Sequence, residues 1–200
     1  MNDSVYNLEN QNSNLLSKIV VALERISEAY RAMLWEKAKE YKLSPIQIQI
    51  LVFVNTHKPK YCTVSYLAVE FNITKATISD SVKSLLSKGL IEKLADENDT
   101  RSYTISLSDT GNNLITNLNN YSGELVNPLS ETSSENQENL WGSLSEIIRN
   151  LHNNNIISMQ RMCFSCKYYT TVPEGHYCGL LEKELKSIDI RLDCPEHEQK

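Results

Sequence analysis

A helix followed by two short strands, between Leu67 and Asp109, constrains the fold of this chain more than any other stretch. Thr74 can cap the helix, because its hydroxyl can accept a hydrogen bond from an unpaired amide of the first turn. Gly89 stands where helices often end in a left-handed residue. Between them, apolar residues recur at helical spacing, namely Ile78, Val82, Leu85 and Leu86. The sequence therefore predicts a helix over residues 74–89 with one buried face.

Two runs of strand-forming residues follow this helix, at 90–94 and 103–107. The segment between them, 95–101, is polar and rich in turn-forming residues, which is typical of a β-hairpin. The sequence thus predicts a helix whose chain continues directly into a small antiparallel hairpin.

Five motifs in this region resemble those of the MarR family of bacterial regulators. They are Leu67 with Ala68, residues 71–79, residues 88–91, Asp99 to Arg101, and residues 107–111. Each motif is weak alone, but five in the same order are specific, and the resemblance covers residues 13–152. It implies a mainly α protein with a small β-hairpin wing (α+β), a winged helix-turn-helix in which the helix at 74–89 is the recognition helix.

The resemblance also implies partners. Members of this family form homodimers on a pseudo-palindromic operator in double-stranded DNA, and repression is usually relieved by a small-molecule effector or by oxidation. A helix in the major groove offers its N-terminal side chains to base edges, while its first amides can hold a phosphate. The candidates are Thr77, Ser79, Asp80 and Lys83 for bases and Lys75 for phosphate.

Two features of these candidates keep alternatives open. Family members often carry Arg at the position of Asp80, and an Asp would repel phosphate, although it could accept from cytosine. Asp80 is otherwise interpreted as a solvated residue. Arg101 resembles the wing arginine that reaches the minor groove, and Asp99 resembles the carboxylate that orients it. The alternative for this pair is a plain surface contact.

The charge of the chain neither requires nor excludes DNA binding. The net charge is −5, but residues 44–111 carry seven Lys and Arg against seven Asp and Glu. DNA affinity would therefore depend on where individual cations meet phosphates. The balanced charge leaves a second hypothesis, a winged-helix protein-interaction adaptor with a structural zinc finger-like tail.

The distribution of apolar and polar residues predicts three parts. Residues 1–12 are expected to be a flexible N-terminus, and 13–152 to form the winged-helix domain. Within it, 13–43 and 109–152 are dimerisation helices around a DNA-binding lobe at 44–108, because they carry more apolar surface than a lone winged helix covers. Packing within one chain is the alternative to a dimer. Residues 153–200 form a Cys-rich extension.

Four of the five cysteines lie within the last 38 residues, as Cys163-x₂-Cys166-x₁₁-Cys178-x₁₅-Cys194. In a chain without a secretory signal such crowding favours metal over disulfides. Four thiolates suit structural zinc or a [4Fe–4S] cluster, and redox-active thiols without metal are the third interpretation. His176 and His197 are close in sequence but are interpreted as bystanders.

The extension is too short for a self-sufficient core, so metal or docking onto the main domain should stabilise it. Its apolar residues predict a short helix around the cysteines; they are Leu180, Leu181, Leu185, Ile188 and Leu192. Cys62 stands apart and is expected to be a small buried hydrophobe.

Other classes of protein lack support in the sequence. There is no Gly-rich phosphate loop, no nucleophile elbow and no His-Glu-x-x-His motif, so an enzyme is not expected. No apolar run could span a bilayer, and residues 1–4 do not begin a secretory signal. The expected compartment is the cytoplasm.

Overall fold

The structure is a computed structural model that describes residues 4–95, 103–158, 161–173 and 175–200. Its helices are α1 (Leu8–Ser13), α2 (Leu15–Tyr41), α3 (Pro45–Thr56), α4 (Val64–Glu70), α5 (Lys75–Ser87), α6 (Asp109–Leu118), α7 (Val126–Ser130) and α8 (Ser134–Asn153). Its strands are β1 (Ile91–Ala95), β2 (Tyr103–Leu107), β3 (Tyr169–Val172), β4 (Gly175–Cys178) and β5 (Lys183–Leu185). Short 3₁₀ turns occupy Pro59–Tyr61, Gly123–Leu125, Cys163–Ser165 and Ser187–Asp189.

The N-terminal segment contains a short helix. Helix α1 begins at Leu8, within residues 1–12, whose flexibility stays a prediction. The Asn7 side chain accepts a hydrogen bond from the Glu9 amide at 2.9 Å and so caps this helix. The chain then breaks at Asn14, whose side chain caps α2 in the same way. Helix α2 runs to Tyr41, within the segment 13–43 that the sequence assigns to a dimerisation helix.

Helix α3 forms the centre of the main core. Its N-terminus is a capping box, because the Ser44 hydroxyl accepts from the Gln47 amide and the Gln47 side chain accepts from the Ser44 amide. The helix contacts α2, α5, α6 and β2. Ile48, Ile50 and Leu51 are fully buried within it. The core thus holds the long helix and the DNA-binding lobe together.

The predicted helix at 74–89 and the pairing of the two predicted strands are confirmed. Thr74 caps α5 by accepting a hydrogen bond from the Thr77 amide at 3.1 Å. Gly89, at φ +67°, occupies the left-handed conformation that turns the chain out of the helix. Strands β1 and β2 pair antiparallel, from Ile91 opposite Leu107 to Ala95 opposite Tyr103. The fold is therefore mainly helical with a small β-hairpin wing, as the sequence predicts.

The tail folds differently from the prediction. A short helix was expected around its apolar residues, but the described tail contains a three-stranded antiparallel sheet in the order β3-β4-β5. Leu185 ends β5 with its side chain buried, while Leu180 and Leu181 lie in the turn after β4. The helical spacing was misleading because sheet pairing with β4 organises this segment.

The tail docks onto α8 through apolar contacts. Met162, Tyr169 and Ile190 are buried in a second cluster, which packs against Trp141 and Ile148 of α8. The Trp141 indole also donates a hydrogen bond to the backbone carbonyl of residue 187 at 2.8 Å. Over the stretches that the structure describes, no helix is both long and apolar enough to cross a membrane.

A close backbone approach at the start of α6 generates a test of this fold. A Cβ on Gly111 would lie 2.0 Å from the carbonyl oxygen of Leu90. Gly111→Ala should therefore lower the free energy of unfolding by about 1–3 kcal/mol, because overpacking exceeds the gain from helix propensity. Urea unfolding measures this change.

Gly142 in α8 provides the matched control. A Cβ at Gly142 meets nothing within 4 Å, so Gly142→Ala should stabilise the protein by up to about 1 kcal/mol. Opposite signs for the two variants are expected, and a shared sign would contradict the packing between α6 and the chain at residue 90.

Candidate DNA-binding surface and four-cysteine site

The outer face of α5 collects the sequence-predicted base and phosphate contacts. Lys75, Thr77, Asp80 and Lys83 are exposed, and Ser79 is half-buried. The opposite face packs against α3 and α4, which fixes the side of the helix that remains accessible. The structure thus brings these five candidates together on one polar face near the helix N-terminus.

Asp80 has a partner on its own helix. Its carboxylate lies 3.0 Å from the Lys83 ammonium, with 76% of the Asp80 and 70% of the Lys83 side chain exposed. An exposed pair of this kind contributes about 0.3–0.5 kcal/mol. Lys83 can therefore exchange this carboxylate for a phosphate at little cost. The wing candidates Asp99 and Arg101 lie outside the described residues.

The four tail cysteines surround one cavity of about 260 Å³. Cys163 begins a 3₁₀ turn, Cys166 follows that turn, and Cys178 ends β4. Cys194 comes from the chain after the last 3₁₀ turn. Thus four positions that span more than thirty residues of sequence meet around one space, and all carry free thiols.

Apolar side chains and hydrogen-bond donors complete the cavity. Leu180, Leu181, Leu185 and Ile188 contribute its apolar wall. The Arg191 backbone amide donates to the Cys163 sulfur at 3.2 Å, and the Arg191 guanidinium approaches the Cys194 sulfur at 3.8 Å. Burial raises the pKa of Cys163, whereas the Arg191 amide opposes that shift. The donors are placed to stabilise thiolate sulfur, which is the form that binds metal.

The two histidines lie outside this cavity lining. The His176 ring is hydrogen-bonded to the Tyr169 hydroxyl at 2.6 Å, and the His197 ring to the Ser165 hydroxyl at 2.9 Å. Among the side chains that the structure describes, no three His, Cys, Asp or Glu converge closely enough to hold a single metal ion. The cysteines therefore share a cavity without forming a compact one-ion site.

Cys62 lies apart from this cavity, in the main core. Its side chain is 1% exposed, and burial raises the pKa of the thiol to about 11. A thiol in such surroundings is inert as a nucleophile near neutral pH. This agrees with its interpretation as a small buried hydrophobe.

Arg161 is a structural feature that the sequence did not reveal. Its side chain is only 3% exposed and lies between the tail and the helix-turn-helix. The guanidinium contacts Glu70 of α4 and Asp193 of the tail. The pKa of Asp193 is lowered by a hydrogen bond from His57 and by the charge of Arg161. No periodicity or motif indicates such a bridge, because its partners are 91 and 32 residues away.

The arrangement of α4, the turn, α5 and the hairpin defines a class of protein, the winged helix-turn-helix proteins. Residues 41–102, which contain α4, α5 and β1, match the family model described as "MarR family". Over this region the chain is therefore similar to the MarR family of winged-helix transcriptional regulators. This similarity to regulators agrees with the prediction that the chain is not an enzyme.

Individual proteins are similar to this chain over a longer stretch than the family model covers. The HTH-type transcriptional regulator BilQ of Clostridioides difficile (strain CD3) is 26% identical over 138 residues, which cover 68% of this chain and 85% of BilQ. A structure of S. aureus MepR in its DNA-binding conformation has a TM-score of 0.59 at 23% identity, covering 66% of this chain and 98% of MepR.

A structure of the S. aureus MepR–DNA complex is also similar, with a TM-score of 0.56 at 23% identity. It covers 66% of this chain and 96% of the MepR chain. At this identity the two MepR structures establish a shared fold. About a third of the chain has no counterpart in these alignments, which leaves the four-cysteine tail to be interpreted from its own residues.

Proposed function

We propose that this protein is a homodimeric, sequence-specific DNA-binding repressor whose C-terminal cysteines bind metal. The observation that carries the DNA-binding part is the exposed polar face of α5. Thr77, Ser79, Asp80 and Lys83 would meet base edges in the major groove of a pseudo-palindromic operator, and Lys75 would meet a phosphate. Arg101, oriented by Asp99, would reach the minor groove from the wing.

The alternative function, a protein-interaction adaptor, rests on the balanced charge of the DNA-binding lobe. Two findings favour DNA over this alternative. The relative BilQ is named a transcriptional regulator, and one similar MepR structure is a DNA complex. In addition, Lys75 and Lys83 lie on the one face of α5 that the core leaves accessible.

Exposed apolar residues support the homodimer. On α2 they are Leu15, Leu16, Ile19, Val20 and Ile26, each at least 42% exposed. On α7 and α8 they are Leu129, Leu140, Ile147 and Leu151. These residues lie on helices that the sequence assigns to dimerisation, and a large apolar surface of this kind marks an interaction site. A second copy of the chain would cover them and present two α5 helices to two half-sites.

The cavity supports metal binding and favours a [4Fe–4S] cluster over zinc. Zinc binds thiolate at about 2.3 Å, so four sulfurs around one tetrahedral ion lie roughly 3.8 Å apart. The described cysteines instead border a space of about 260 Å³ without converging on one point. A [4Fe–4S] cluster also takes four thiolates and is tuned by hydrogen bonds to sulfur, a role that Arg191 fits.

A bound cluster would make the tail a sensor, because such a cluster responds to oxidants or iron supply. Zinc would make it a structural clamp and leave control to an effector bound elsewhere. In either case Cys163, Cys166, Cys178 and Cys194 are the ligands, and the metal adds stability to a tail with a small core. The cytoplasmic location stays a prediction.

DNA binding is tested by its dependence on salt. Affinity of the full chain for the DNA upstream of its own gene should fall steeply with salt, because phosphate contacts release counterions. Lys75→Ala should weaken binding and reduce the slope of log affinity against log salt by about 1. Fluorescence anisotropy measures both values.

Lys186→Ala is the control for Lys75→Ala, since Lys186 is exposed but lies in the tail. This variant should keep the wild-type slope. Binding that is independent of salt in the wild type would contradict phosphate contacts and favour the adaptor.

The dimer is tested by a charge on α2. Leu16 is 71% exposed in the single chain. Leu16→Glu should yield a monomer by light scattering, because burying an unpaired carboxylate in the interface costs several kcal/mol. Leu94 on β1 is 48% exposed, and Leu94→Glu should remain a dimer. A wild-type monomer, or a dimer that Leu16→Glu leaves intact, would exclude this interface.

Metal content tests the cysteine site. Full-length protein purified without oxygen should contain iron and sulfide in near-stoichiometric amounts and absorb visible light. Cys178→Ser should lose most of this iron, whereas Cys62→Ser should keep it, because Cys62 lies in the main core. Near-stoichiometric zinc in a colourless sample would show that the site holds a structural zinc ion instead of a cluster. Protein without either metal would refute the metal site.

A further inference from the structure

Arg161 joins the four-cysteine tail to the helix-turn-helix by an ionic contact in which the guanidinium itself is buried. Its Nη1 and Nη2 atoms donate to the two carboxylate oxygens of Glu70 at 2.9 and 3.1 Å. Nη1 also donates to the Tyr66 hydroxyl at 2.7 Å. On the opposite side, Nε donates to Asp193 at 2.8 Å, and Nη2 lies 2.6 Å from the same oxygen. One guanidinium therefore binds carboxylates from both parts of the molecule.

The tail side of this contact includes two of the cysteines. Asp193 directly precedes Cys194, and the Cys194 amide donates to the Arg161 carbonyl at 3.1 Å. Two residues further along, the Cys163 amide donates to the Arg191 carbonyl at 3.1 Å. The segments that carry Cys163 and Cys194 are thus held side by side, and the Arg161–Asp193 contact lies at one end of their pairing.

The other side of the contact is the helix that supports the recognition helix. Tyr66 and Glu70 belong to α4, and α4 packs directly against α5. The Arg161 guanidinium also lies 5.0 Å from the ring centre of Phe53 in α3. A displacement of Arg161 would therefore change contacts with two helices of the DNA-binding lobe.

A buried guanidinium has few alternative positions, because it must remain paired when it is removed from water. The Arg161 side chain is 3% exposed and that of Glu70 is 18% exposed, whereas the Asp193 side chain is 57% exposed. Movement of the Cys194 segment must therefore either break this pairing or displace α4. Two further contacts join the parts: the His57 ring lies 3.6 Å from the Asp193 carboxylate, and Lys58 pairs with Glu196. The Lys58–Glu196 pair is about half exposed and can adjust in water.

We propose that Arg161 transmits the state of the four-cysteine site to the helix-turn-helix, so that loss of the bound metal weakens operator binding. A bound metal fixes Cys163 and Cys194, and through Asp193 and Arg161 it holds α4 in the position that supports α5. Without the metal the two cysteine segments separate more easily, and Arg161 no longer fixes α4. This inference rests on the proposed metal site, and the coupling is reciprocal, so DNA also favours the metal-loaded protein.

The experiment compares DNA affinity of full-length protein before and after metal removal. The protein is loaded anaerobically with iron and sulfide, or with zinc if that is the metal found, and half is stripped with a chelator. Each form is titrated with a fluorescent duplex from upstream of its own gene, and metal is measured in the same samples. Wild-type affinity should fall about 5- to 150-fold on stripping, the usual range of such coupling.

Two variants separate the Arg161 pathway from other effects. Glu70→Gln removes the carboxylate on α4, and the milder Tyr66→Phe removes only the hydroxyl that accepts from Arg161. Both residues lie outside the cysteine cavity, so both variants should load metal normally. The ratio of DNA affinities before and after stripping should fall towards 1 in both. Lys58→Gln is the matched control, because it breaks the exposed contact between the same two parts. It should keep the wild-type ratio.

The outcomes distinguish this inference from the proposed function. A wild type that binds no metal refutes the metal site and the inference together. A wild type that binds metal but shows equal DNA affinity when stripped refutes the inference and leaves the metal site standing. A Tyr66→Phe or Glu70→Gln protein that loads metal and keeps the full wild-type ratio excludes Arg161 as the connection.

Discussion

The burial of one face of α5 is the constraint on which the rest of the structure depends. Ile78, Val82 and Leu85 are almost fully buried and pack towards α3 and α4. Since a helix has 3.6 residues per turn, this packing also decides which side chains remain outside. The core packing therefore determines the candidate DNA contacts. Lys75, Thr77 and Asp80 are exposed because the opposite face of α5 is packed against α3 and α4. A change in α4 would therefore reach the DNA-binding face without any direct contact with DNA.

Local chemistry explains which elements could be predicted from the sequence. The Thr74 cap and the left-handed Gly89 each depend on residues within a few positions, so the local sequence was sufficient to predict them. The fold of the tail was harder to predict, because strand pairing and docking onto α8 determine its structure. The spacing of Leu181, Leu185 and Ile188 resembles a helix, yet hydrogen bonds to β4 place Leu185 in a strand. Propensity is a weak guide where tertiary contacts decide.

The two candidate sites were also predictable to different extents, because some of their features depend on local sequence and others on contacts distant in sequence. The spacing of the cysteines indicated a common site, and the structure places all four around one cavity. Arg191 and Arg161 could not be identified from sequence, because neither has a local motif. Arg161 contacts Asp193, 32 positions away, and the Arg191 amide contacts Cys163, 28 positions away. The DNA contacts on α5 were predictable as a face, whereas their roles depend on partners such as the Asp80–Lys83 pair.

The location of charge explains how a chain with a balanced DNA-binding lobe can still be controlled. Exposed pairs such as Asp80 with Lys83 contribute little to stability and can be exchanged for phosphates. Arg161 is different, because its buried guanidinium would lose one of its two carboxylate partners if either the tail or α4 moved away. Exposure therefore decides how firmly a charge is held: the exposed pair on α5 can change partners, whereas the buried Arg161 guanidinium behind α4 keeps its position. A tail with a small apolar core gains a defined position from that connection, and the DNA-binding lobe becomes sensitive to whatever holds the cysteines together.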